Sequence, residues 1–367
     1  MRSTLLLAAI LAALTGCATS RPTTRIASPE TPAVDTVAPV TGAVVAERFV
    51  SEADAADELD SAATWTTEDG RTWVIVTAKS SNRLVVFDGD SGERLRVVGG
   101  DAGVVFGRPN GIAVHGDLVF VVERNAHRVQ VLSLPRFAPV AVFGEGELRN
   151  PYGVWLNETA PGELDAYVTD NFMYGERYDR LPPLAELSQR VKRFRIDVDG
   201  DRVRAKPAGA FGDTSEAAAL HAVESIAGDA DHDRLLIADE DAGRPSTLRE
   251  YTLAGRYTGR SLPQDTFDAE AEGVALWTCD DDAGYWIAVD QLRPQTVFHV
   301  FDRATLAPRG QFRGRITSHT DGIALHSAGT PSFPAGVLYA IHDDRAITAF
   351  DLRDVAHALG LSERCAR

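Results

Sequence analysis

The carboxylates of this sequence fall in short clusters at the ends of apolar runs: Asp57-Glu58-Leu59-Asp60, Asp239-Glu240-Asp241, Glu270-Ala271-Glu272 and Thr320-Asp321-Gly322. Each cluster lies where a β-strand should begin or end. A fold that draws strand ends around one axis would therefore gather them into a single oxygen-rich site. Hard cations, Ca²⁺ above all, take such all-oxygen ligand sets. Carboxylates held together without a cation repel one another and raise their own pKa values. One acidic residue in a turn is ordinary; the same type recurring at equivalent strand ends marks a site.

The elements that must position these groups are strands. Apolar runs rich in Val, Ile, Phe and Tyr alternate with Gly, Asp, Asn and Pro turns. Helical periodicity is confined to Leu184–Arg190, Asp213–Leu220 and a terminal stretch from Leu352 to Leu361. Stacking the runs exposes a repeat. Gly111-Ile-Ala-Val114, Gly153-Val-Trp-Leu156, Ser225-Ile-Ala-Gly228, Gly273-Val-Ala-Leu276 and Gly322-Ile-Ala-Leu325 recur at intervals of 42, 72, 48 and 49 residues. These are propeller-blade lengths apart from one interval, which holds the insertion Asn171–Gln189. With a further unit spanning Trp73–Val98, six blades are counted. The expectation is an all-β fold, a six-bladed β-propeller, whose radial closure protects its strand edges. In such a ring Asp60, Glu224, Glu270, Glu272 and Asp321 each precede or open an inner strand, so they should meet at one mouth of the central channel.

The N-terminus carries Arg2, an uncharged run from Ser3 to Leu14 too short to span a bilayer, and then Leu14-Thr15-Gly16-Cys17. It resembles a bacterial lipoprotein signal, 1–16, with lipid on Cys17. Ala18 after the cysteine implies the outer membrane. A Pro/Thr/Ala-rich flexible tether should cover 17–45, leaving 46–367 for the propeller. The formal net charge of −16 argues against nucleic acid, which needs a basic footprint. Of the three cysteines, Cys279 and Cys365 could pair in an oxidising compartment or remain free thiols.

Three segments taken in order carry a family resemblance: Glu224-Ser-Ile-Ala-Gly-Asp through Leu236-Ile-Ala-Asp-Glu-Asp241, Glu270-Ala-Glu-Gly-Val-Ala-Leu276, and Ser318-His-Thr-Asp-Gly-Ile-Ala-Leu325 leading to Gly336-Val-Leu-Tyr-Ala-Ile-His-Asp343. From about Asp57 to Leu361 the chain resembles the β-propeller phytases, Ca²⁺-dependent enzymes that release phosphate from inositol hexakisphosphate. The resemblance implies Asp60, Glu224, Glu270, Glu272 and Tyr152 as calcium ligands and their supports, and Lys79 and Arg124 as cations that hold substrate phosphate. It also implies Asp239 or Glu240 and Gln291 at the site. Bound Ca²⁺ would neutralise the phosphate and activate water, with no phosphoenzyme. The expected partner is a small phosphate ester, for a monomer that touches membrane only through its lipid.

Two positions depart from the family. Thr169-Asp170-Asn171 stands where a lysine is usual, and Ser61 stands where a second Asp is common beside Asp60. The sequence lacks an Arg-His-Gly triplet and a Cys with Arg six residues later, the marks of phosphohistidine and thiolate phosphatases.

The rival reading is a propeller that binds a partner or ligand. Phe106-Gly-Arg-Pro-Asn-Gly-Ile-Ala-Val114 and Arg124-Asn-Ala-His-Arg-Val-Gln-Val131 resemble an NHL-type repeat, which is shared by propellers that mostly bind partners; related sugar-lactone hydrolases use one metal in the channel. A pure NHL array should repeat the Asn-His-Arg-Val phrase, whereas the later blades carry acidic phrases instead. His115, His127, His299 and His326 stand singly, without ligand spacing. Trp65, Trp73, Trp155, Trp277 and Trp286 read as blade packing. Gly99-Gly100-Asp101-Ala102-Gly103, with no helix after it, reads as a turn.

Overall fold

The computed structural model describes residues 42–100, 104–200, 202–241, 243–279 and 283–366. The signal, Cys17 and the tether up to residue 41 lie outside the described residues. Among those described, no helix is long and apolar enough to cross a membrane.

Six sheets, antiparallel except for one added strand described below, form six blades. Blade 1 contains Leu59–Thr66, Thr72–Ala78, Arg83–Asp88 and Arg94–Gly99. Blade 2 contains Pro109–His115, Leu118–Glu123, Arg128–Ser133 and Ala138–Phe143. Blade 3 is built from Pro151–Ala160, Glu163–Asp170, Val191–Asp199 and Arg202–Phe211, and blade 4 from Val223–Asp229, Arg234–Asp239, Thr247–Tyr251 and Tyr257–Ser261. Blade 5 uses Ala271–Thr278, Gly284–Asp290, Val297–Asp302 and Pro308–Arg313; blade 6 uses Ile323–His326, Val337–His342 and Ala346–Asp351. The inner strands contact one another in cyclic order, and the inner strand of blade 6 returns to that of blade 1.

The ring closes with strands from both ends of the described chain. Phe49–Val50 supplies the outermost strand of blade 6, antiparallel to Ala346–Asp351. Ala43–Val44 runs parallel to the outer strand of blade 5. Sheet pairing therefore begins three residues before the domain start expected at 46. A short helix, Leu352–Leu359, follows blade 6; Asp351 caps it by accepting the Arg353 N–H, and Gly360 ends it at φ +60. The tail beyond is fastened to blade 5 by a Cys279–Cys365 disulfide.

The apolar runs are explained by how blades stack. A second strand is covered on both faces by neighbouring blades, so Leu118–Glu123, Arg234–Asp239 and Gly284–Asp290 are buried along their whole length. Core clusters form between blades: Ile75, Val86 and Val121 between blades 1 and 2, Phe120, Val168 and Phe194 between blades 2 and 3. Outer strands are polar and exposed, as in Arg202–Phe211, which blunts an edge that would otherwise pair with other chains.

The long interval in the repeat is the loop from Asn171 to Arg190, between the second and third strands of blade 3. It contains a 3₁₀ turn at Leu184–Gln189. The helix expected at Asp213–Leu220 is instead a turn: Asp213 accepts from the Ser215 N–H and hydroxyl and folds the chain locally.

Candidate functional site

A single irregularity, repeated around the ring, builds the site. In five blades the inner strand bulges against the second strand, so that two inner residues oppose one partner. Such bulges re-aim side chains. In blade 1, for example, the pairing passes from Leu59↔Ala78 to Ala62↔Val76, leaving Asp60 and Ser61 opposite Thr77. The first bulge residue of each blade is Asp60, Asn110, Tyr152, Glu224 or Glu272, and Asp321 holds the matching place in blade 6. The next residue is always small: Ser61, Gly111, Gly153, Ser225, Gly273 or Gly322. A Cβ at Gly153 would meet the Glu224 carbonyl oxygen at 2.3 Å, and one at Gly111 the Tyr152 carbonyl oxygen at 2.3 Å. Glycine thus lets four of the blades abut the bulge of the next.

A second set surrounds the first. The residue directly after each second strand is Lys79, Arg124, Asn171, Glu240, Gln291 or Asp343. In five blades its N–H donates to the carbonyl two residues before the bulge residue: Glu58, Arg108, Asn150, Ala222 and Glu270 accept at 2.8–3.0 Å.

The two sets interlock. Lys79 Nζ donates to Asp60 Oδ1 at 3.1 Å and Asp321 Oδ2 at 2.7 Å. Tyr152 OH donates to Asp60 Oδ1 at 3.0 Å, and Asn110 Nδ2 donates to the same oxygen at 3.3 Å. Ser61 Oγ donates to Asp60 Oδ2 at 3.0 Å, so this departure from the family pattern supports Asp60 instead of adding a charge. Gln291 Nε2 donates to Glu272 Oε1 at 3.5 Å and also to Asp321 Oδ1. Asn171 Nδ2 donates to Glu224 Oε1 at 3.3 Å. Arg124 Nε donates to Asn150 Oδ1 at 2.9 Å, and its guanidinium lies 5.8 Å from the centre of the Tyr152 ring.

Oxygens of Glu224, Glu240 and Glu272 lie within 4.8 Å of one another, and Glu240 Oε1 is buried with no hydrogen-bond partner. Burial and then the Asp60 charge push the Glu224 carboxyl up to about 7. Burial followed by neighbouring carboxylates holds Glu240 and Glu272 well above the ordinary range. Asp321 is also raised, by burial and Asp60, in spite of Lys79. Burial alone would depress Lys79, but Asp60 and Asp321 raise it above the usual lysine value. Burial and the charges of Asp60 and Glu224 keep Tyr152 protonated. A second group, His319, Asp321 and Asp344, adjoins through the shared Asp321.

The structure thus brings together Asp60, Lys79, Tyr152, Glu224, Glu240, Glu272, Gln291 and Asp321, with Arg124 beside Tyr152. Glu270 is exposed at the rim, where its charge acts on Glu240 and Glu272.

Asp239 stands apart. Its carboxylate accepts the His221 and Ala222 N–H groups at 2.9 and 3.0 Å and pairs with Arg249 at 2.9 Å. The same device recurs at the ends of other second strands, where Asp170 accepts from Arg149 and Asn150, and Asp290 from Asp268 and Ala269. Within Asp239-Glu240-Asp241 only Glu240 joins the three-glutamate group. In the first acidic cluster, Asp57 is a structural anchor for Arg83 and Arg94. Asn110 and Asn171 are site residues that the acidic pattern did not single out. Their signal was positional, since each occupies a place that carries a charge in other blades.

Beneath these groups lies a channel of about 400 Å³ whose lining includes Ile112, Val154, Ile226, Val274 and Ile323. The shaft lining mixes these apolar side chains with Ser61, Ser225 and the glycines of the inner strands.

No family model matches the chain, and no curated protein matches it. Among solved structures it is similar to virginiamycin B lyase from Staphylococcus aureus. A catalytically inactive variant with quinupristin aligns at 13% identity and a TM-score of 0.45, covering 82% of this chain and 99% of that one. The selenomethionine-substituted enzyme aligns at 12% and 0.46, covering 82% and 98%.

Proposed function

We propose that this chain is a calcium-dependent phosphomonoester hydrolase acting on phytate or a related phosphate ester. The observation that carries the reading is the Glu224–Glu240–Glu272 group, three carboxylates whose oxygens lie within 4.8 Å of one another with one buried Glu240 oxygen unpartnered. Like charges so close call for a cation, and the all-oxygen donor set suits Ca²⁺. Glu224, Glu240 and Glu272 would hold it, with Asp60 and Asp321 completing the set. When bound, Ca²⁺ supplies charge neutralisation at the phosphate and lowers the pKa of water.

The chain's own groups divide the remaining work. Carboxylates dominate blades 4 to 6, whereas blades 1 to 3 contribute Lys79, Arg124, Asn110, Tyr152 and Asn171 around the single carboxylate of Asp60. An anionic ester is therefore met by donors on one side of the mouth. Arg124 can grip phosphate oxygens with a planar fork and Lys79 as a point charge. Tyr152, held protonated, orients Asp60 by donating to it. Asn171, in the place of the expected lysine, braces Glu224 and brings no charge to the phosphate side.

The test is release of inorganic phosphate from phytate by the protein in Ca²⁺ and in chelator. Release that requires Ca²⁺ supports the reading. Release that survives chelation, or none under either condition while Ca²⁺ still binds, overturns it; the second result leaves a metal-bound propeller that binds a partner.

A further inference from the structure

We infer that His319, Asp321 and Asp344 form a divalent transition-metal site at the seam where blade 6 meets blade 1, distinct in its chemistry from the all-carboxylate mouth. One donor atom of each residue lies within 4.8 Å of the others. His319 and Asp321 belong to the segment that leads into the inner strand of blade 6, Ile323–His326, and Asp344 to the turn between that blade's second and third strands. Backbone bonds hold this frame in place. The Leu59 N–H of blade 1 donates to the Asp344 carbonyl at 2.7 Å, and the His319 N–H donates to the Leu292 carbonyl of blade 5 at 3.1 Å.

Three observations define the ion. First, His319 Nδ1 and Asp344 Oδ1 lie 3.8 Å apart, and each is buried without a hydrogen-bond partner. That separation is too long for a direct hydrogen bond. A metal ion placed between the two atoms would bond both. Zn²⁺ bonds of about 2.0–2.2 Å to nitrogen and carboxylate oxygen match a 3.8 Å gap with the ion slightly off the line joining them. The ion occupies the gap itself, so it needs no open surface on either atom. The two side chains as wholes are 29% and 31% exposed, which leaves a route in and freedom to rotate toward Asp321. Second, the charge balance favours a cation. Asp321 accepts from Lys79 on one oxygen at 2.7 Å and from Gln291 on the other, and each carboxylate oxygen keeps a further lone pair. Lys79 is shared with Asp60 at 3.1 Å, so the carboxylates of Asp60, Asp321 and Asp344 face one ammonium. Arg293 and Arg345 are engaged by Asp343 instead. Third, the donor set contains an imidazole. Imidazole suits Zn²⁺ and its neighbours in the first transition row, whereas Ca²⁺ takes oxygen. Three protein ligands leave a fourth position for water.

The site shares Asp321 with the mouth but does not depend on the phosphatase reading. Calorimetric titration of the untagged protein with Zn²⁺ tests it, in excess Ca²⁺ to compete for the all-oxygen mouth, with thermal melts in the same buffers as a second readout. Saturable Zn²⁺ binding and a raised Tm are expected, since an ion bound only by the folded state stabilises it. His319→Gln should weaken binding at least about tenfold, because loss even of a group that merely orients a ligand costs 10- to 100-fold, and should abolish the rise in Tm. Asp344→Asn, which keeps the shape and removes the charge, should weaken binding several-fold, and it decides the matter if His319→Gln does not fold. His115→Gln, which removes an imidazole beside the one carboxylate of Glu158, should change neither readout. No saturable binding, displacement of Zn²⁺ by Ca²⁺, or binding indifferent to His319→Gln and Asp344→Asn would overturn the inference. Binding that survives those two substitutions but is lost in Glu240→Gln would overturn it by placing the ion in the mouth.

Discussion

Asn171 holds Glu224 from the neighbouring blade by two contacts at once. Its Nδ2 donates to Glu224 Oε1 at 3.3 Å, and its Oδ1 accepts the Val223 N–H at 3.2 Å. The backbone of blade 4 and the carboxylate it presents are thereby fixed by a single amide. A lysine at this place could not accept the Val223 N–H. Partners that orient a ligand commonly change metal affinity by 10- to 100-fold when lost. Asn171→Leu is therefore expected to weaken Ca²⁺ binding about tenfold, while Asn171→Lys should also lose the bracing of Val223. Calorimetry on both variants checks this; unchanged affinity in Asn171→Leu would show that Glu224 needs no brace.

The buried carboxylates set a pH dependence of stability. Glu224, Glu240, Glu272 and Asp321 all have folded-state pKa values above their ordinary ones. Between the unfolded and folded values the folded protein binds more protons, so stability falls as pH rises through that window. For Glu224 the window runs from 4.5 to about 7. In chelator, Tm should be lower at about pH 8 than at about pH 5.5. Ca²⁺ should restore it at the higher pH, because an ion bound only by the folded state stabilises by mass action. Glu240→Gln, which removes one of the repelling charges, should flatten the fall in chelator. Thermal melts check all three, and a Tm that climbs over this range in chelator would contradict the electrostatics.

The disulfide between Cys279 and Cys365 closes a separation of 86 residues and fastens the tail to blade 5. Removing a native bridge of this kind costs about 2–5 kcal/mol. Cys279→Ser with Cys365→Ser should lower unfolding stability within that range while leaving Ca²⁺ binding intact, because the bridge lies away from the mouth residues. Denaturant unfolding of the double variant checks it.

Much of the architecture was legible because the inner-strand phrase repeats. The recurring Gly/Ser-Ile/Val phrase marks where blades 2 to 6 begin, and the glycines in it reflect close approach to the next blade. Glu224, Glu272 and Asp321 are readable for the same reason, whereas Asp60 stands out only through its acidic cluster, because blade 1 lacks the phrase. Asp239 and Glu240 could not be separated by pattern alone. A one-residue change of register turns a side chain from the blade interior toward the mouth, and only the backbone bond from Glu240 N–H to the Ala222 carbonyl settles which one turns. Within Thr169-Asp170-Asn171, the sequence does not show that the Asp170 carboxylate ties down the Arg149 and Asn150 N–H groups. Asn110 escaped notice because an amide between a proline and a glycine reads as a turn.

A calcium titration by calorimetry, comparing the unaltered protein with Glu240→Gln and Asp241→Asn, tests the proposed mouth most directly. The two positions are adjacent in sequence, but Glu240 belongs to the three-glutamate group whereas Asp241 pairs with Arg244. The account predicts that Glu240→Gln loses Ca²⁺ affinity by at least about tenfold, the scale of one charged contact, and that Asp241→Asn binds as the unaltered protein does. Equal loss in both variants, or none in Glu240→Gln, would contradict it.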